Sequence, residues 1–61
     1  MRIRSSKSFT LRLIHNGRVG CIVDNKNEMD AIVSLKDVEM LKNAPNSEFY
    51  DKCYNFVYTW D

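Results

Sequence analysis

The strongest constraint on this chain is the dipeptide Asn16-Gly17, set between two runs rich in β-branched and long aliphatic residues, Phe9-Thr-Leu-Arg-Leu-Ile-His15 and Arg18-Val-Gly-Cys-Ile-Val-Asp24. A two-residue type I′ turn requires positive φ at both central positions, and Asn followed by Gly adopts it at the lowest steric cost. The turn predicts a β-hairpin and also its register. His15 should face Arg18, Ile14 Val19, Leu13 Gly20, Arg12 Cys21 and Leu11 Ile22. Because side chains alternate across a strand, one face of the ribbon carries Phe9, Leu11, Leu13 and Ile22, with His15, Arg18 and Asp24 at its ends. The other carries Ile14, Val19, Cys21 and Val23, with Thr10 and Arg12. Both faces are apolar, whereas a hairpin solvated on one side shows a polar face.

Downstream, Asn25 to Glu28 reads as a polar loop and Asp30-Ala-Ile-Val33 as a third strand. Ser34 with Asp37 resembles a capping box. The spacing of Leu35, Val38 and Leu41 then predicts a helix, which Pro45 should end near Asn43. Residues 44–47 are expected to be a loop. The last segment holds six of the seven aromatics and has two readings. As a strand over 53–60, which its aromatics, Val57 and Thr59 favour, it aligns Tyr54, Phe56, Tyr58 and Trp60 after a turn of helix at 48–52. As a helix, it is capped by Ser47 and buries Phe49, Cys53, Phe56 and Trp60. The expected fold is a single α+β domain over residues 1–61, a ββ(β)αβ arrangement with an antiparallel sheet of three to four strands and one main helix. Residues 1–7 are read as a basic arm.

At 61 residues, a domain hides only about 60% of the surface its unfolded chain exposes. It has little material for a deep ligand cleft. The apolar content is too high and the net charge of +1 too low for a disordered tail. No apolar run is long enough to span a bilayer, and no secretory signal follows the basic start. The chain is therefore read as a complete cytoplasmic protein whose thiols, Cys21 and Cys53, are reduced and buried.

Catalytic chemistry has few candidates. His15 is the one histidine, and the hairpin register puts Cys21 on the opposite face, so the two do not form a nucleophile–base pair. Zinc sites need about four ligands at short local spacings, and phosphate loops need glycines ahead of a helix. Neither pattern occurs, and Asp24, Glu28 and Asp30 read as a solvated loop without the glycine turn of a calcium site. No cofactor, no metal and no enzymatic activity are expected.

The charge distribution is uneven. Residues 1–18 contain five basic and no acidic residues, whereas residues 19–61 contain four basic and eight acidic ones. Combined with the doubly apolar hairpin, this points to a protein-binding module, an inhibitor or regulator of a larger partner with an acidic surface. Chains of this size include phage-type host-takeover, anti-defence and antitoxin-like factors. Its contact residues would be Arg12, Ile14, Arg18, Val19, Cys21 and Val23, an arginine among aliphatics being typical of interfaces. The alternatives to an intermolecular partner are cover of that face by the last segment or by residues 1–7, and a homodimer that closes it. A different reading is RNA or single-stranded nucleic-acid binding, with Arg2, Arg4, Lys7, Arg12 and Arg18 on phosphates and Tyr54 and Tyr58 as stacking surfaces.

Overall fold

The computed structural model describes residues 2–59. Four strands, β1 (Arg2–Ser5), β2 (Phe9–Ile14), β3 (Val19–Asp24) and β4 (Asp30–Val33), precede two helices, α1 (Leu35–Asn43) and α2 (Asn46–Tyr58). The strands form one antiparallel sheet in the order β1-β2-β3-β4. The class is α+β, as the sequence implies.

The hairpin register is the one the turn dictates: Ile14 pairs with Val19, Leu13 with Gly20, Arg12 with Cys21 and Leu11 with Ile22. The turn itself is broader than a type I′ dipeptide. His15 joins Asn16 and Gly17 at positive φ (53°, 60° and 81°), and the Arg18 amide donates to the carbonyls of both Ile14 and His15. β4 continues the pairing, with Gly20 opposite Val33, Cys21 opposite Ile32, Ile22 opposite Ala31 and Val23 opposite Asp30. Helix α1 starts where expected. Ser34 Oγ accepts from the Asp37 amide at 3.2 Å, satisfying one of the unpaired donors of the first turn, and the extended backbone of Ala44 and Pro45 ends the helix.

Three expectations are corrected. First, the one-main-helix ββ(β)αβ arrangement becomes ββββαα, because residues 46–58 are helical throughout rather than a strand. Phe49, Cys53 and Val57, four apart, are buried, so they make one stripe of a 3.6-residue repeat. Packing of that stripe overrides the modest strand preference of its aromatics. Phe56 is half-buried beside the stripe, and Trp60 lies outside the described residues. The 44–47 loop shrinks to Ala44 and Pro45. Second, residues 2–5 are an edge strand rather than a basic arm, paired to β2 through an irregularity between Arg2 and Arg4. Third, within α1 only Val38 and Leu41 of the anticipated stripe are buried, and Leu35 is half exposed.

Both helices pack on the same side of the sheet. The core joins Phe9, Leu11, Ile22 and Val33 from the strands to Val38, Leu41, Phe49, Cys53 and Val57 from the helices. Gly20 makes the close approach of α1 to β3 and β4 feasible. A Cβ there would meet Val38 Cγ2 inside any tolerable contact and Val33 Cγ2 at 2.8 Å. Arg4 closes the helix corner from the sheet edge. Its Nη1 donates to the carbonyls of Leu41 (2.7 Å) and Ala44 (2.6 Å), its Nη2 donates to Asn46 Oδ1 (2.8 Å), and its guanidinium lies 4.3 Å from the centre of the Phe49 ring. A cation at a helix C-terminus meets unpaired carbonyls and the negative end of the helix dipole, and the ring adds a cation–π contact.

Candidate functional site

With both helices on one side, the register leaves the other side of the sheet to the residues of opposite parity. From β1 to β4 these are Arg2, Ser5, Thr10, Arg12, Ile14, Val19, Cys21, Val23, Asp30 and Ile32. Arg2, Arg12, Asp30 and Ile32 are exposed, Ile32 by 61%, and Thr10, Ile14, Val19 and Val23 are half-buried. No helix among the described residues covers this side. Cys21, at its centre, is shielded although it faces away from the core; Arg12 and Ile32 flank it across the strands. Burial first, then Asp30, pushes its thiol above the ordinary range, against the opposing pull of Arg12. A protonated, shielded thiol is a small apolar group rather than a nucleophile. Cys53 lies on α2 on the other side of the sheet, where burial pushes its thiol up to about 12 against a weaker pull from Arg4, and both cysteines are free. Among the described residues the one ion pair joins Lys42 to Glu39 at 3.7 Å, so Arg2, Arg12 and Arg18 have no carboxylate partner there.

A second surface lies at the end of the sheet where β2 begins and β3 ends. Tyr50, Tyr54 and Tyr58 recur every four residues along α2 and adjoin in sequence, Tyr50 and Tyr54 near-parallel with ring centres 6.3 Å apart and Tyr54 and Tyr58 tilted at 4.9 Å, while Tyr50 meets Phe9 edge-on at 5.5 Å. Tyr50 and Tyr54 are each nearly half exposed. They form one wall of an open groove of about 360 Å³, whose opposite rim is Lys7, Ser8, Asn25 and Lys26 and whose floor includes Phe9 and Asp24.

The rim is tied together by its own hydrogen bonds. The Asn25 amide donates to the Ser8 carbonyl (2.9 Å), its Nδ2 to the Ser6 carbonyl (3.1 Å), and Thr10 Oγ1 donates to Asn25 Oδ1 (2.8 Å). Asp24 anchors the far end. It is buried, not part of a solvated loop, and its carboxylate accepts from the Tyr58 hydroxyl, the backbone amides of Lys26 and Asn27, and the Asn27 side chain. The Tyr58 bond foremost, then the Lys26 amide, holds the Asp24 carboxyl below its ordinary value, and the same bond pushes the Tyr58 phenol up.

The anticipated contact residues thus separate. Arg12, Ile14, Val19, Cys21 and Val23 share the open side, and Arg18 stands exposed in the turn at its end. Of the anticipated nucleic-acid set, Arg2 and Arg12 are on that same open side, Arg4 is bound to the carbonyls of α1, and Tyr58 is bound to Asp24. Lys7 and Tyr54 alone meet, in the groove. Ile32, Tyr50 and Lys26 escaped the sequence reading. Ile32 follows from Cys21 once β4 is paired, and Tyr50 from the four-residue spacing once the last segment is read as a helix. His15 is exposed in the turn, and among the described residues no three His, Cys, Asp or Glu side chains come together. Nor is any described helix long and apolar enough to cross a membrane. Comparisons with protein-family models, curated proteins and solved structures found no match.

Proposed function

We propose that this chain is a non-enzymatic protein-binding module that docks the open side of its sheet on a larger partner with an acidic surface and thereby regulates or inhibits it. The observation that carries this reading is the placement of both helices on one side, which leaves Ile14, Val19, Val23 and Ile32 beside two arginines without a carboxylate partner among the described residues. Aliphatic side chains supply the area removed from water. Arginine supplies planar, bidentate recognition of a carboxylate at low hydration cost. Four strands at their usual spacing present a surface on the order of 400 Å². That is about half of what each partner contributes to a standard interface, so the rim at Arg2 and Arg18 is expected to take part.

Affinity capture from the native lysate, with and without nuclease, tests this reading when run on matched variants. Arg12→Glu, Val19→Glu and Ile32→Glu should each lose the captured protein while circular dichroism stays unchanged. Tyr54→Ala, on the other surface, should keep it, and nuclease should have no effect. Capture insensitive to the three sheet variants would refute the reading. Concentration-dependent dimerisation in light scattering, lost in the same variants, would put a second copy on the face in place of a regulated partner.

A further inference from the structure

We infer that the groove between α2 and the strand ends is a separate binding site for single-stranded nucleic acid. Tyr50 and Tyr54 provide stacking surfaces, and Lys7 and Lys26 provide the phosphate contacts. This does not depend on the open side of the sheet, with which the groove shares none of its lining residues.

The chemistry of the lining selects the ligand. Two tyrosines, each nearly half exposed, line one wall, and two lysines from different loops stand on the rim. Aromatic rings stack on any base, and cations beside them track the backbone, which is the combination that sequence-tolerant single-strand binders use. Asp24, the carboxylate within the groove, stays ionised, but it is buried and its oxygens are engaged by Tyr58, by Asn27 and by two backbone amides rather than turned toward a ligand. Asp51 lies with Asn55 on the far side of the same two rings. A negative backbone is therefore drawn to the lysine rim and repelled from the Asp51 flank, which sets the side of the rings on which it lies.

The geometry favours a strand over a free nucleotide. Small-ligand sites enclose most of their ligand, whereas this groove is only partly enclosed. Tyr50 and Tyr54, both exposed in the groove, offer two adjacent stacking positions, where a mononucleotide could use one. The site is also pre-shaped. Asn25 ties the β1–β2 and β3–β4 loops together, and Asp24 with Asn27 pins Tyr58 at the end of the run, so little ordering remains to be done on binding.

The experiment is a titration of ¹⁵N-labelled protein with a thymidylate single strand of about ten nucleotides, within the usual site size, at low and at raised salt. Thymidine monophosphate and inorganic phosphate serve as separate arms. The expected result is shifts at the amides of Lys7, Lys26, Tyr50 and Tyr54, weakening steeply with salt as counterion release requires. Tyr54→Ala should weaken binding about ten-fold, within the range measured for loss of one stacked base. Lys7→Glu and Lys26→Glu, both at exposed positions, should each weaken it and flatten the salt dependence. The ¹⁵N spectrum of each variant reports directly whether it is folded. Absence of shifts at low salt would overturn the inference. So would shifts centred on Arg2 and Arg12, equal affinity for the monophosphate or for inorganic phosphate, or unchanged binding in the Tyr54→Ala protein.

Discussion

The two sides of this sheet are built from the same strands and nearly the same residue types, yet they have opposite fates. On one side Phe9, Leu11, Ile22 and Val33 are sealed under two helices. On the other, Ile14, Val19, Val23 and Ile32 stay wholly or partly in contact with solvent. The difference is not hydrophobicity. It comes from the connections: the chain leaves β4 through Ser34 into α1, and the two-residue corner at Ala44 and Pro45 returns α2 to the side α1 already occupies. Arg4 then fastens that corner to the sheet edge. An apolar strand face is thus a request for cover, and how the helices are joined decides which request is met.

The contrast can be tested by substitution. The largest effect is expected for Phe49→Ala in the covered layer, about 3–5 kcal/mol. That is comparable to the whole stability of a chain of this size, roughly 3–9 kcal/mol, so urea titration should find this variant largely unfolded. Gly20→Ala inserts one methyl group between β3 and the α1 valine facing it and should cost about 1–3 kcal/mol by overpacking. The measured midpoint should drop even though a residue has been made larger and more apolar. Arg4→Met keeps the stem and removes the charged hydrogen bonds. A loss of about 2 kcal/mol is expected, with amide exchange fastest over residues 41–46. If Arg4→Met is neutral, the corner is held by Phe49 and Leu41 alone.

Tyr58→Phe has a smaller effect with a characteristic pH signature. Asp24, held below its ordinary 3.8, contributes stability that is complete above that value and disappears as pH falls through its lower folded value. Tyr58, raised above 10.0, contributes stability that is complete below that value and disappears as pH rises through its higher folded value. Removing the hydroxyl should flatten both limbs of a stability–pH profile, and a profile parallel to that of the parent would show that the bond does not form in solution. The smallest change is expected at Ile32→Ala, within about 0.5 kcal/mol, as for surface substitutions without a named role. A cost above 2 kcal/mol there would mean that the open side is covered in solution.

Much of this architecture is legible in the residues, for reasons that differ by segment. Asn16-Gly17 constrains the hairpin because it centres the turn between the two strands, and every pair anticipated between Leu11 and Ile14 and their partners is present, whereas His15 and Arg18, anticipated as a facing pair, belong to the turn. Ser34 and Pro45 mark the ends of α1 because each alters a backbone donor directly. The last segment has two readings in the sequence, with the strand favoured, because a helical and a strand stripe coexist in Phe49 to Tyr58. Local preference separates them poorly, and contact with Phe9 and Ile22 far away in sequence decides the outcome. β1 is not legible for a related reason. Its one large apolar residue is Ile3, and an arginine such as Arg4 gives no hint from sequence that it will meet the carbonyls of residues 41 and 44.

Of the open side, Arg12, Ile14, Val19, Cys21 and Val23 were readable from alternation alone, whereas the groove was not. Its walls come from β1–β2, β3–β4 and α2, and no single segment displays more than a fragment of it. Asp24 shows why. In sequence it is one acid among several near a loop, and only the fold brings Tyr58 to it across 34 residues.

The Arg4 tie also orders events during synthesis. The guanidinium and its carbonyl acceptors are 37 and 40 positions apart, and the acceptors become available only once α1 has formed its last turn. β1 is therefore locked only after α1 has docked, and until then the nascent hairpin carries an unsecured edge beside it.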